Sequence, residues 1–116
     1  MSGVIEGMVI LDKVEFIDLL NTFKNISIDN PFSRGNHLVA RHKENRKWFA
    51  LIAEINGKLA VNLKCDPIKS DFLRKVNKAI VPAWHMNKLH WNTIFVNEID
   101  LNELKELIED SYEITK

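Results

Sequence analysis

The dipeptide Asn56-Gly57 constrains the fold of this chain more than any other feature. It separates two runs, Lys47–Ile55 and Leu59–Lys64, that are rich in aromatic and aliphatic residues. Asn and Gly both tolerate the positive φ that a two-residue turn between antiparallel strands demands, so the three segments read as a β-hairpin. Leu38–His42 reads as a further strand, joined to the hairpin by the charged turn "KENR". Three consecutive strands with short turns make an antiparallel meander.

Helices flank this meander. Residues 12–24, "DKVEFIDLLNTFK", place Val14, Ile17, Leu20 and Phe23 at helical spacing. Asp12, with Glu15 three residues on, has capping-box form. "SIDNPFSRGN" (27–36) is rich in turn formers, and Pro31 and Gly35 break regular structure. Asp66-Pro67 starts a second helix, with aspartate as N-cap and proline at the first position, where a missing N–H costs nothing. Ile68, Phe72, Leu73 and Val76 supply its expected apolar face. "AIVPAW" reads as extended, because Pro82 forbids a continuing helix. Trp91–Val96 alternates as a fourth strand should. Asp100–Tyr112 closes the chain as a helix capped by Asp100, with Leu101, Leu104, Leu107, Ile108 and Tyr112 as its stripe. The predicted order is α-β-β-β-α-β-α: an α+β fold, mostly antiparallel, with helices packed on the sheet. A length of 116 residues fits one domain spanning 1–116.

Apolar residues make up 46% and charged residues 28%, a balance that suits a packed core rather than a disordered chain. No apolar run is long enough to span a bilayer, so no membrane partner is expected. The start lacks a basic n-region and carries Glu6 and Asp12, unlike a secretory signal. The one cysteine, Cys65, cannot form an internal disulfide, which fits a cytoplasmic location. Net charge is zero but unevenly placed. Residues 34–47 and 64–90 each carry +4, whereas residues 1–33 carry −3 and residues 91–116 carry −5. A neutral total argues against strong non-specific nucleic-acid binding, and a basic centre leaves room for a local basic face.

Candidate chemistry concentrates in "VPAWHMNKLHWNTIFV", which holds His85, His90, Trp84 and Trp91. His85 and His90 stand five apart, and neither they nor Cys65, His37 and His42 fall into a zinc spacing, so no metal is expected. Cys65 lies just before a helix N-terminus, which lowers a thiol pKa, but Asp66 beside it opposes a thiolate. No glycine-rich phosphate loop exists among four scattered glycines, and no cofactor is expected. An enzyme would need His85 or His90 paired to Cys65 or to a carboxylate, and the chain is read as non-enzymatic. Nucleic-acid binding asks less. In the hairpin "RHKENRKWF", Arg41, Lys43, Arg46 and Lys47 suit phosphate contacts and Trp48 suits stacking. The loop "HMNKLHWN" adds His85, Asn87, Lys88 and His90.

The residues "NLKCDP", then "VPAWHMNKLHWNTIFV", then a closing "LIEDSYEIT" resemble the MmcQ/YjbR family over about residues 29–116. The positions that match its motifs are Lys64, Cys65, Asp66, Pro67, His85, Met86, Asn87, Lys88, His90, Trp91, Asn92 and Thr93. Trp84 stands where a tyrosine is usual, and Leu89 where a charged residue is common. The resemblance implies a CyaY-like or secretion-chaperone-like fold and a double-wing, DNA-binding module, with no catalytic residues to carry over. The leading expectation is therefore DNA binding through the basic hairpin and the HMNKLHW loop. The alternative is a protein- or small-ligand-binding module using a groove near Trp84, Trp91 and the C-terminal helix. Within the loop, Met86, Trp91, Ile94 and Val96 are expected to pack, and Asn87 and Asn92 to bond backbone.

Overall fold

A computed structural model describes residues 4–5, 8–32, 35–83 and 86–116. Its centre is a six-stranded antiparallel sheet of order β3-β4-β5-β6-β8-β7. The strands are β3 (Ile26–Asp29), β4 (Leu38–His42), β5 (Trp48–Ile55), β6 (Lys58–Lys64), β7 (Ile80–Pro82) and β8 (Trp91–Phe95). The helices are α1 (Lys13–Leu20), α2 (Pro67–Val76) and α3 (Leu101–Ile114), and a two-stranded hairpin, β1 (Val4–Ile5) with β2 (Met8–Val9), precedes them. The α+β expectation holds, and the central meander is where the sequence places it. Asn56 and Gly57 take φ of +51° and +76°, as the tight turn requires.

Beyond the leading hairpin, the fold differs from expectation in three respects. Two edge strands, β3 and β7, join the four that were read. Ile26 and Ile28 alternate with Ser27 and Asp29, and both isoleucines pack on the core, which outweighs the turn-forming residues that follow. Pro82 sits in β7, on an edge where its missing N–H breaks no ladder. Helix α1 ends at Leu20, not residue 24. The Thr22 hydroxyl donates to the Leu19 carbonyl at 2.7 Å and Asn25 takes φ +56°, so Phe23 swings from a helical position into an aromatic cluster with Phe49 and Tyr112.

The third difference lies in α2. Of the expected apolar face only Leu73 packs on the core; Ile68, Phe72 and Val76 point to solvent, with exposures of 84%, 59% and 61%, and Ser70 is buried. Polar bonds set this rotation. Arg74 donates through Nη1 to the Lys88 carbonyl at 2.8 Å and to Asn92 Oδ1 at 3.1 Å, and Asn92 Nδ2 donates to the Ser70 carbonyl at 3.4 Å.

Strand register separates two faces. Ile52, Val61, Ile94 and Ile80 form one cross-strand row. They pack with Phe16 and Leu20 of α1, Leu73 of α2, and Leu104, Leu107 and Ile108 of α3. All three helices therefore share this face. The adjacent row of Val39, Leu51, Asn62, Thr93 and Val81 belongs to the second face. There the Thr93 hydroxyl bonds the Asn62 carbonyl oxygen among buried neighbours.

Candidate nucleic-acid interface

The antiparallel order brings separate sequence segments to one end of the sheet. The turn between β4 and β5, the end of β6, the N-terminus of α2 and the loop before β8 all lie there, because Lys64 pairs with Trp91 and Arg41 with Trp48. The hairpin tip is tightly tied. Lys43 donates its backbone N–H to Asn25 O at 2.8 Å, and Arg46 to His42 O at 2.9 Å. Arg46 takes φ +64°. Lys47 N–H donates to Asn45 Oδ1 at 2.9 Å, and Asn45 Nδ2 donates to Thr115 O at 3.0 Å, joining the tip to the end of α3.

The loop "HMNKLHWN" is built as a clasp. Asn87 Oδ1 accepts from Leu89 N–H at 2.8 Å, and Trp91 N–H donates to Asn87 O at 3.0 Å. Cys65 N–H donates to the His90 carbonyl at 2.8 Å, so the "LKCDP" and "HMNK" segments are held together by backbone. Asn87 and Asn92 bond backbone as expected, and Ile94 and Val96 are buried. Trp91 and Met86 are only half-buried. Asn87 thus spends its carbonyl oxygen on the turn, which reduces what it offers a ligand. His85 and Trp84 lie outside the described residues.

The candidate phosphate ligands divide. Arg41 makes a bidentate bond to Asp29 at 3.0 and 3.1 Å, lies 5.8 Å from the Trp48 ring centre, and keeps only 13% of its side chain exposed. Its charge is neutralised by Asp29 and its Nε and Nη2 donors are occupied, so it is not the open phosphate ligand the sequence suggested. Lys43, Arg46, Lys47 and Lys88 are exposed. They and the half-buried Lys64 make no ion pair with any described residue. Three strand spacings separate β4 from β8, which puts the hairpin and the loop roughly 14 Å apart. Lys64 sits between them, a rim position that only the strand register reveals.

The helix-covered side of the same end has the opposite sign. Asp110 pairs with Lys69, and Glu109 and Glu113 lie along the same helix. A groove of about 550 Å³ opens there, lined by Thr22, Phe23, Lys24, Asp110, Tyr112 and Glu113 among others. Trp91 does not reach it. Ile94 packs on the face that carries α3, and strand alternation puts Trp91 on the opposite face. A groove shared by Trp91 and α3 is therefore not formed among the described residues.

Two buried titratable groups complete this end. Burial pushes the Cys65 thiol up, and neighbouring Lys69 opposes that only in part, a direction contrary to nucleophile activation. His42 is 4% exposed and held below its ordinary value by burial. Its Nε2 lies 2.9 Å from Thr115 Oγ1. That hydroxyl donates to the Ser111 carbonyl at 2.6 Å, so Nε2 must carry the proton in the histidine–threonine bond. Among the described residues, no three His, Cys, Asp or Glu side chains are grouped to hold a metal ion, and no helix is long and apolar enough to cross a membrane.

A sequence model of the YjbR family matches residues 21–114, which include both clasped motifs and the hairpin tip. This chain belongs to the YjbR family. Its curated relatives include YyaQ of Bacillus subtilis, 36% identical over 102 residues that cover 78% of this chain and 86% of YyaQ. YbdF of Escherichia coli O157:H7 is 39% identical over 70 residues, covering 59% of this chain and 57% of YbdF. YjbR of Escherichia coli K12 is 30% identical over 66 residues, 56% of each chain. The match thus spans little more than half the length of the latter two. The YjbR fold is seen in a crystal structure of a Pseudomonas syringae protein, which superimposes with a TM-score of 0.83 at 34% identity, covering 91% of this chain and all of that one. A Deinococcus radiodurans protein superimposes with a TM-score of 0.77 at 25% identity, covering 87% of this chain and 75% of that one.

Proposed function

We propose that this YjbR-family chain is a non-enzymatic DNA-binding module that holds an unpaired strand along the rim of its sheet. The observation that carries this reading is the set Lys43, Arg46, Lys47, Lys64 and Lys88. These five cations lie at one end of the sheet and have no ion-pair partner among the described residues. Trp48 and Trp91, both half-buried, stand between them on the second face. Cations that track a backbone, with aromatic rings on which bases stack, are the recurring composition of single-strand sites. Duplex readout through a groove has less support, since the outward face of α2 is apolar and cannot serve as a basic recognition helix.

Fluorescence polarisation against single-stranded and duplex oligonucleotides at about 50 mM salt tests the reading, because phosphate contacts are strongest at low salt. Binding to the single strand is expected, with log K falling with log salt at a slope of about −3 if four phosphates are neutralised. The triple variant Lys43→Glu, Arg46→Glu, Lys47→Glu should lose it. Wild-type protein that binds neither oligonucleotide at that salt ends the proposal.

A further inference from the structure

The outward face of α2 is an apolar row where a solvated face is expected. Ile68, Phe72 and Val76 follow one another at four-residue spacing, each more than half exposed. The helix is anchored on its other side by Ser70, Leu73 and Arg74, so this row cannot turn inward. A row at i, i+4 and i+8 is the ridge by which helices pack against one another.

We infer that this face pairs with the same face of a second copy of the chain, two α2 helices lying antiparallel across a two-fold axis near Phe72. The row is nearly palindromic: a phenylalanine between two β-branched aliphatic residues. The axis therefore sets Phe72 against its own counterpart, and Ile68 against Val76 of the second copy, as an isologous interface requires. The flanking charges agree. Asp71 and Lys75, 2.9 Å apart within one chain, lie on one flank of the row. Reversing the second helix brings its Lys75 to about 3 Å, measured along the axis, from Asp71 of the first. Each carboxylate gains a second ammonium.

An anionic membrane surface is the other occupant an amphipathic basic helix suggests, but the three cations within the helix are engaged. Lys69 pairs with Asp110, Lys75 with Asp71, and Arg74 with the Lys88 carbonyl and Asn92. Charges already neutralised in this pattern suit a partner of mixed sign.

Sedimentation velocity over a concentration series, without nucleic acid, tests the pairing. Wild-type protein is expected to shift from monomer to dimer as concentration rises. Phe72→Glu should weaken association at least about tenfold, since it removes a buried aromatic from both copies. Ile68→Glu, at the most exposed position, should do the same if Phe72→Glu proves unfolded by circular dichroism. Asp71→Lys should weaken association, and Asp71→Lys with Lys75→Asp should restore it. The inference is overturned by protein that stays monomeric to its solubility limit, or by a dimer that Phe72→Glu leaves unchanged. It is also overturned if monomeric wild-type protein binds phosphatidylserine vesicles and Phe72→Glu abolishes that binding.

Discussion

His42 shows how a single position serves two ends. In the sequence it sits in a basic hairpin, beside cations suited to phosphates. In the structure it is enclosed by Phe49, Tyr112 and Thr115, with Lys116 opposing a positive charge and Glu113 and Glu44 favouring one. Burial prevails and holds the imidazole below its ordinary value of 6.5, so as pH falls below that value the unfolded chain takes up the proton more readily than the folded chain does. Stability should be full above about pH 6.5 and decline as pH falls toward the folded-state value. Urea denaturation at pH 7.5 and pH 5 checks this, and His42→Gln should flatten the difference. Asn92 is the second such residue. It is 2% exposed, accepts from Arg74 and donates to Ser70. Asn92→Ala should cost about 2 kcal/mol, because it strands a charged donor and a buried carbonyl; the same denaturation measures it. The asparagine roles were legible in the motif as backbone bonding. The Arg74 bond was not, because the two residues lie eighteen apart and meet only after α2 docks.

At the scale of elements, legibility followed local chemistry. The capped helix starts at Asp12, Asp66 and Asp100 and the hairpin at Asn56-Gly57 lie where side chain–backbone rules place them. What lacked a local turn signal was lost. Strands β3 and β7 are short, lie at the edges, and pair with the next strand of the chain only across an irregular loop that has no hairpin signature. The rotation of α2 could not be read because apolar periodicity says which residues share a face, not which way that face turns. Polar bonds to β8 decided it. The turn gives a clean energetic test. Gly57 has open space around its missing Cβ but takes φ +76°. Gly57→Ala should therefore cost about 1 kcal/mol from backbone conformation alone, read as a lowered thermal midpoint with the fold retained.

For the whole molecule, the neutral total conceals two poles. The rim carries unpaired cations, and α3, which closes the other side of the same end, carries the acids. The sequence showed this as a basic centre between acidic ends. It did not show that the strand order would bring Lys64 between the hairpin and the loop, nor that Asp29 of an unforeseen strand would neutralise Arg41. That last contact makes the charge of the rim adjustable. Asp29→Ala should free Arg41 and strengthen single-strand binding by a few-fold, with a steeper salt dependence and a stability loss of about 1–3 kcal/mol, since the Arg41 side chain is only 13% exposed and loses both carboxylate bonds. Polarisation titrations of the two proteins at two salt concentrations check it. An unchanged affinity would place the strand elsewhere.

The bonds that moor the hairpin tip to Asn25, His42 and Thr115 also bear on the tempo of any encounter. A loop already fixed at its base and at the end of α3 has little ordering entropy left to lose when a ligand arrives. Association at the rim should therefore run in one kinetic phase whose rate rises linearly with ligand concentration, without the plateau that a slow rearrangement imposes. The lifetime of the complex, rather than the speed of its formation, is then the quantity that substitutions at the rim would alter.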